Sequence, residues 1–142
     1  MTDSAMNLLG LALRGGNLAV GEEPVAEACR AHRARVVLLA QDAGPSTARR
    51  GEKFAGEGGV PLVRLPCSKA DLGWSLGRAS CALAAVTEAG LASAVMKKLA
   101  AEDESLTALA QELEERARRG QKRQRDSNKT ARAGKKPADV EA

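Results

Sequence analysis

Val36-Val37-Leu38-Leu39-Ala40 is a run of five apolar residues with no polar alternation. A strand with one wet face alternates, so an unbroken run of this length belongs to a central strand covered on both faces. Three further short apolar runs surround it: Leu18-Ala19-Val20, Leu62-Val63-Arg64-Leu65 and Ala82 to Val86. Segments of helical period lie between them. Met6, Leu9 and Leu13 recur at i, i+3, i+7, and Gly15-Gly16 closes that first helix. Val25, Ala28, Cys29 and His32 form the stripe of a second helix, with Pro24 tolerated in its first turn. Thr47 to Glu57 reads as an exposed, weakly amphipathic helix. Ser68, with Asp71 three residues on, caps a short helix running to about Leu76, and Leu91, Val95 and Leu99 mark a closing one. This alternation predicts an α/β fold, a three-layer α/β/α sandwich around a small mixed four-stranded sheet, occupying residues 1–100.

Charge divides the remainder. Residues 101–115 hold six acids and no base, whereas residues 116–136 hold ten bases against Asp126 alone. Leu106, Leu109 and Leu113 carry a helical stripe onward. Glu112–Arg116, Glu114–Arg118 and Glu115–Arg119 are acid-first i, i+4 pairs, each worth ~0.2–0.5 kcal/mol. A charged helical extension is expected over residues 101–119. Residues 120–142 have one aliphatic residue larger than alanine, Val140, and are expected to form a disordered basic tail. Arg116, Arg118, Arg119, Lys122, Arg123 and Arg125 would meet a polyanion by counterion release, without sequence choice. The same bases also suit a solvated tail that raises solubility.

Several function classes find no support. Phe54 and Trp74 are the only benzenoid or indole rings, so an aromatic platform of several exposed rings is excluded, and any nucleic-acid binding is expected to work through backbone charge, polar contacts and shape. Trp74 is assigned to helix-to-sheet packing rather than to stacking on a base. Gly16 to Gly21 has the glycine spacing of a phosphate-binding loop, but Glu22 and Glu23 stand where that loop needs Lys and a hydroxyl, which argues against nucleotide hydrolysis. Cys29 and His32 form a single Cys-x-x-His pair on an apolar stripe, short of the four ligands of a structural zinc site, so no metal or cofactor is expected. One histidine leaves little material for acid–base chemistry, and no catalytic constellation stands out. The three cysteines are odd in number and widely spaced, and no signal peptide or membrane span is legible. A cytoplasmic, non-enzymatic protein is the expectation.

Three stretches in order, "NLLGLALRGGNLAVGEEPVAEA", "ARVVLLAQDAGPSTARR" and "GVPLVRLPCSKADLGWSLGRASCALAAVTEAGLASAV", resemble the ribosomal L-seven-Ae family of kink-turn RNA-binding proteins, in its bacterial YlxQ-like branch. The resemblance covers about residues 5–99. It implies a structured RNA partner, ribosomal or another kink-turn RNA, with ribosomal proteins or translation factors as further partners. In that family a Gly-x-Asn-Glu-x-x-Lys signature at the start of the second helix meets the sheared G·A pairs of the kink. Here Gly21 matches, while Glu23 stands for the Asn, Pro24 for the Glu and Glu27 for the Lys. Carboxylates there could accept from guanine N–H groups, which only a base edge offers. A first helical turn equally favours Glu22 and Glu23 through the dipole, at ~0.3–1 kcal/mol each, with no ligand at all. The resemblance further implies RNA contacts at Gln41, beside the end of a strand, and at Gly77 and Arg78 in the loop before the last strand. Arg14 is a further positive candidate. The alternative is a protein-interaction module that keeps the fold without the kink-turn face.

Overall fold

The computed structural model describes residues 2–122. Four strands, β1 (Leu18–Val20), β2 (Val36–Leu39), β3 (Leu62–Arg64) and β4 (Leu83–Val86), form one sheet in the order β1-β4-β2-β3. β4 runs antiparallel to both β1 and β2, and β3 lies parallel to β2. Helices α1 (Asp3–Arg14), α2 (Glu22–Arg30), α3 (Pro45–Gly58), α4 (Lys69–Ser75) and α5 (Ala89–Glu102) alternate with the strands. The expected α/β sandwich and mixed sheet are present.

The unbroken runs earn their burial on two faces. Val36, Leu38, Ala84 and Val86 face a core shared with Leu9 of α1, Leu72 of α4 and Val95, Met96 and Leu99 of α5. Their neighbours Val37, Leu39, Leu83 and Ala85 face Val25 and Cys29 of α2 and Phe54 of α3. Each strand therefore feeds both cores with alternate residues, as a period of two requires.

The second helix is shorter than its stripe suggests. α2 ends at Arg30, and His32 is exposed at φ 56°, in the left-handed region just beyond the helix. Cys29 is buried as expected; His32 is not part of the core. Burial raises the Cys29, Cys67 and Cys81 thiols above their ordinary range, so all three stay protonated and unreactive at neutral pH.

The C-terminal helical segment docks on the body. α5 runs two residues past the expected boundary and stops at Asp103, whose carboxylate accepts from the Ser105 backbone N–H at 3.0 Å and the Ser105 hydroxyl at 2.6 Å. A 3₁₀ turn over Glu104–Leu106 follows, and then a helix, α6 (107–122). Ala110, Leu113 and Ala117, at i, i+3, i+7, are buried. Lys97 of α5 reaches Glu114 at 2.9 Å. Hydrogen bonds from Lys97 and then Arg118 hold the Glu114 carboxyl below the usual carboxylate range. The three i, i+4 pairs form at 2.6, 2.8 and 4.0 Å. The expected disordered tail lies, from Arg123 onward, outside the described residues.

Candidate nucleic-acid interface

β1, β2 and β3 share one direction and β4 opposes them, so one end of the sheet collects three strand C-termini and the start of β4. Crevices for ligands form at that end of open α/β sheets, where the loops diverge. The Gly21 N–H donates to Leu83 O at 2.9 Å, Ala40 N–H to Ala82 O at 2.9 Å, and Gln41 N–H to Cys67 O at 2.9 Å. These bonds tie the start of α2, the turn after β2 and the segment entering β4 into one surface.

The first part of that surface is the start of α2. Gly21 caps the helix through its backbone alone, at φ 97° and ψ 166°, and its carbonyl accepts from Val25 N–H at 3.1 Å. Both Glu22 carboxylate oxygens lie 2.7 Å from Arg50 Nη1 of α3, and the Thr47 hydroxyl adds a bond of 3.2 Å. Glu22 thus braces α2 against α3. Glu23 and Glu27 are exposed, and Glu27 meets Arg33 only at 3.9 Å.

The second part is the turn from α4 into β4. Gly77 N–H donates to Trp74 O at 3.2 Å and Arg78 N–H to Gly73 O at 2.8 Å, the paired bonds of a Schellman helix end. Gly77 supplies the left-handed residue that this closure needs, at φ 72°. Gly73 permits the chain to fold back: a Cβ there would sit 2.5 Å from the Ser80 Cα. The spacing Gly73-x-x-x-Gly77 carried this device in the sequence, with one glycine for approach and one for conformation. Arg78, exposed, is held at the tip.

Two grooves flank α4. One, of about 760 Å³, runs between α1 and α4 and is lined by Arg14, Gln41, Asp71 and Trp74 among others. The other, of about 730 Å³, is lined by Trp74, Gly77, Arg78 and Ala79 together with Ala70 and Asp71. Trp74 is 85% exposed, so its assignment to helix-to-sheet packing is overturned. The reason is the length of α4: in a seven-residue helix Leu72 and Gly73 already take the buried face. Sequence reasoning also missed Arg50, the partner of Glu22. Asp42, next to Gln41, was missed as well; its carboxylate accepts from the Lys69 backbone N–H at 2.7 Å and pins α4 to the turn after β2.

The bases of α6 lie elsewhere. Arg116 lines a cavity with Ala34 and Arg35, which precede β2, at the opposite end of the sheet. Arg116, Arg118 and Arg119 are each paired with a glutamate, while Lys122 is exposed. Arg123 and Arg125 fall outside the described residues. Among the described residues no cluster of three His, Cys, Asp or Glu side chains could hold a metal, and no helix is long and apolar enough to cross a membrane.

Known proteins are similar to this chain. The protein called RNA-binding protein YlxQ in Bacillus subtilis (strain 168) is 36% identical over 92 residues, spanning 65% of this chain and 91% of that protein. Its namesake in Enterococcus faecium is 35% identical over 74 residues, 52% of this chain and 71% of that protein. A solved structure of a protein with unknown function from Bacillus halodurans C is 26% identical and superposes at TM-score 0.59, covering 78% of this chain and 99% of that one. The Giardia lamblia 15.5kD RNA binding protein shares the fold, at TM-score 0.56 and 20% identity over 73% of this chain and 88% of its own. A family model matches residues 3–96, from the first helix into α5 and so across both parts of the surface above; the chain belongs to the ribosomal protein L7Ae/L30e/S12e/Gadd45 family.

Proposed function

We propose that this chain is a non-enzymatic, cytoplasmic RNA-binding protein of the translation apparatus that recognises kinked RNA at the end of the sheet where Gly21, Gln41 and Arg78 converge. The observation that carries this reading is the turn at Gly77, which holds an exposed guanidinium beside an open groove in a family whose bacterial relatives are named RNA-binding. Arg78 and Arg14 take phosphate, and Gly77 admits the RNA backbone closely. Gln41 and Glu23 offer polar atoms to base edges, where a carboxylate can accept from guanine N–H. Gly21 sets the start of α2, and Glu22 holds α2 on α3. Lys122, Arg123, Arg125 and the bases after them add affinity without sequence choice.

The test is a salt titration of binding to a kink-turn RNA and to a length-matched straight duplex. Arg78→Glu should weaken the kinked RNA by about tenfold or more, through a lost charge-assisted contact and an added repulsion, and the duplex by less. Replacing the six bases after Lys122 by Gln should flatten the salt slope and leave the preference for the kinked RNA intact. Equal losses on both RNAs with Arg78→Glu would overturn a shaped site on the body. One observation favours a second reading: the acid of Glu22 is already neutralised within the protein, and Glu23 and Glu27 remain as an exposed acidic pair. A protein partner on that surface is the outcome if binding to both RNAs vanishes with the tail bases.

A further inference from the structure

The indole of Trp74 stands in water on a helix that is otherwise firmly seated. The chain's one phenyl ring, Phe54, is buried, and among the described residues the only other large apolar side chain left exposed is Leu11, which lines neither groove beside α4. Trp74 lines both of them. Arg14 lies along one side and Arg78 along the other, while Asp71 belongs to each. The mounting is rigid. Asp42 holds the Lys69 N–H at 2.7 Å, the Ser68 hydroxyl oxygen accepts from the Asp71 N–H at 3.1 Å, and Gly10 brings α1 close to Ser75 O. Ser80 lies too close to Gly73 for a side chain to fit between them.

A flat π-face on a firmly seated helix, with a guanidinium lining the groove to either side, matches the chemistry of one unpaired nucleotide. A base stacks on the indole, and the phosphates before and after it meet Arg14 and Arg78. The Asp71 carboxylate, which lines both grooves, repels phosphate from beside the ring and can accept from a base N–H, which favours the base, and not the backbone, against the indole. A protein-docking face would want a broad apolar surround for the tryptophan; beside Met6 and Pro66 at one groove, the linings offer the cations Arg14 and Arg78, the acids Asp3 and Asp71, polar amides and small residues. The shortage of aromatic residues rules out a row of stacked bases, and leaves room for one.

We propose that Trp74 is a stacking platform for a single unpaired nucleobase in a strand that flanks the kink, laid across α4 between Arg14 and Arg78. The inference rests on the RNA-binding reading above and extends its surface beyond Gly77 and Gln41, across α4 to α1. Trp74 is the chain's only tryptophan, so its fluorescence reports on this position alone.

The experiment uses the full chain with two RNAs, a blunt kink-turn and the same kink-turn carrying a single-stranded overhang of about four nucleotides at either end. Expected are a gain in affinity of about fivefold or more from one overhang, with quenching of the tryptophan emission that the blunt RNA does not produce. Trp74→Ala and Trp74→Leu should abolish the gain and Trp74→Phe should retain most of it, all three with the wild-type melting temperature, since the ring is exposed. Stacking is overturned if the blunt RNA binds in an Arg78-dependent way but neither overhang adds affinity or quenches emission. It is also overturned if Trp74→Leu keeps the gain, which would mark an apolar protein-type contact. If neither RNA binds the wild-type chain, the RNA-binding reading falls first, and the blunt RNA distinguishes that failure.

Discussion

At the start of α2 an acid is matched by a base of the neighbouring helix, with both Glu22 oxygens 2.7 Å from Arg50 Nη1. At the end of α4, at the same end of the sheet, Arg78 stands exposed on a turn closed by the Gly77 N–H and its own N–H. One region spends its charge on holding two helices together; the other keeps its charge for solvent or a ligand. A carboxylate at a helix N-terminus is therefore poor evidence of a binding group until its partner is known. An exposed cation at the tip of a turn closed by its own backbone bonds is better evidence, because no side-chain hydrogen bond or ion pair among the described residues engages it.

The largest expected effect comes from removing the device that shapes the α4 turn. A Cβ at Gly73 would meet Ser80 Cα, C and N at 2.5, 2.7 and 2.8 Å, and backbone atoms cannot swing aside as a side-chain tip can. Gly73→Ala should cost about 3 kcal/mol, read as a fall in the urea midpoint at unchanged slope, with loss of any preference for kinked RNA. A wild-type midpoint would mean that the turn is not pinned by this approach, and the contrast between a braced and an open region would lose its structural basis.

Leu113→Ala tests whether the far end of the sheet is independent of both regions. Its side chain is buried where α6 docks, so truncation should cost about 2 kcal/mol while leaving the kinked-to-duplex ratio unchanged. Acid below the ordinary carboxylate range should weaken the same docking. The Glu114 carboxyl is held below its ordinary range, so its contribution is complete above that range and is lost as pH falls through the lowered folded-state value. A change in RNA preference with Leu113→Ala would show that α6 acts on the site across the sheet.

How much of this was legible follows from the physics of each element. The four apolar runs and the cap at Ser68 are local signals, and the strands and the start of α4 fall where those signals put them. The partner of Glu22 was illegible, because Arg50 lies 28 residues away and only the packing of α3 on α2 brings it near. Trp74 misled for another reason: a lone tryptophan in an aromatic-poor chain belongs inside on average, and a helix of seven residues had no inward position left for it. His32 was lost to a helix that stopped two residues early. The order of motifs carried the family; the surface chemistry needed the fold.

Glu27→Lys restores the base that the family signature has at this position. Glu27 is exposed and its nearest base, Arg33, stands at 3.9 Å, so the substitution should be neutral for stability within ~0.5 kcal/mol. Affinity for a kinked RNA should rise about tenfold, 1.4 kcal/mol, as one repulsion becomes an attraction. That gain would show that the start of α2 still faces the RNA and is weakened at one point. No gain would place the whole of the RNA contact at the α4 turn.

Glu22→Gln makes the finest cut. The pair with Arg50 is half exposed on both sides, so removing its charge should lower stability by under about 1 kcal/mol. The amide oxygen still accepts from Arg50, which keeps α2 on α3. If Glu22 is a brace, losing a negative charge beside the RNA surface should raise affinity about two- to threefold for kinked RNA and duplex alike, and more at low salt than at high. If Glu22 instead accepts from guanine N–H groups, the kinked RNA alone should weaken, because an amide oxygen is a poorer acceptor than a carboxylate and the duplex never offered those edges. The two signs are opposite. A selective loss would therefore erase the distinction between the two regions, and the start of α2 would join the α4 turn as a reader of RNA.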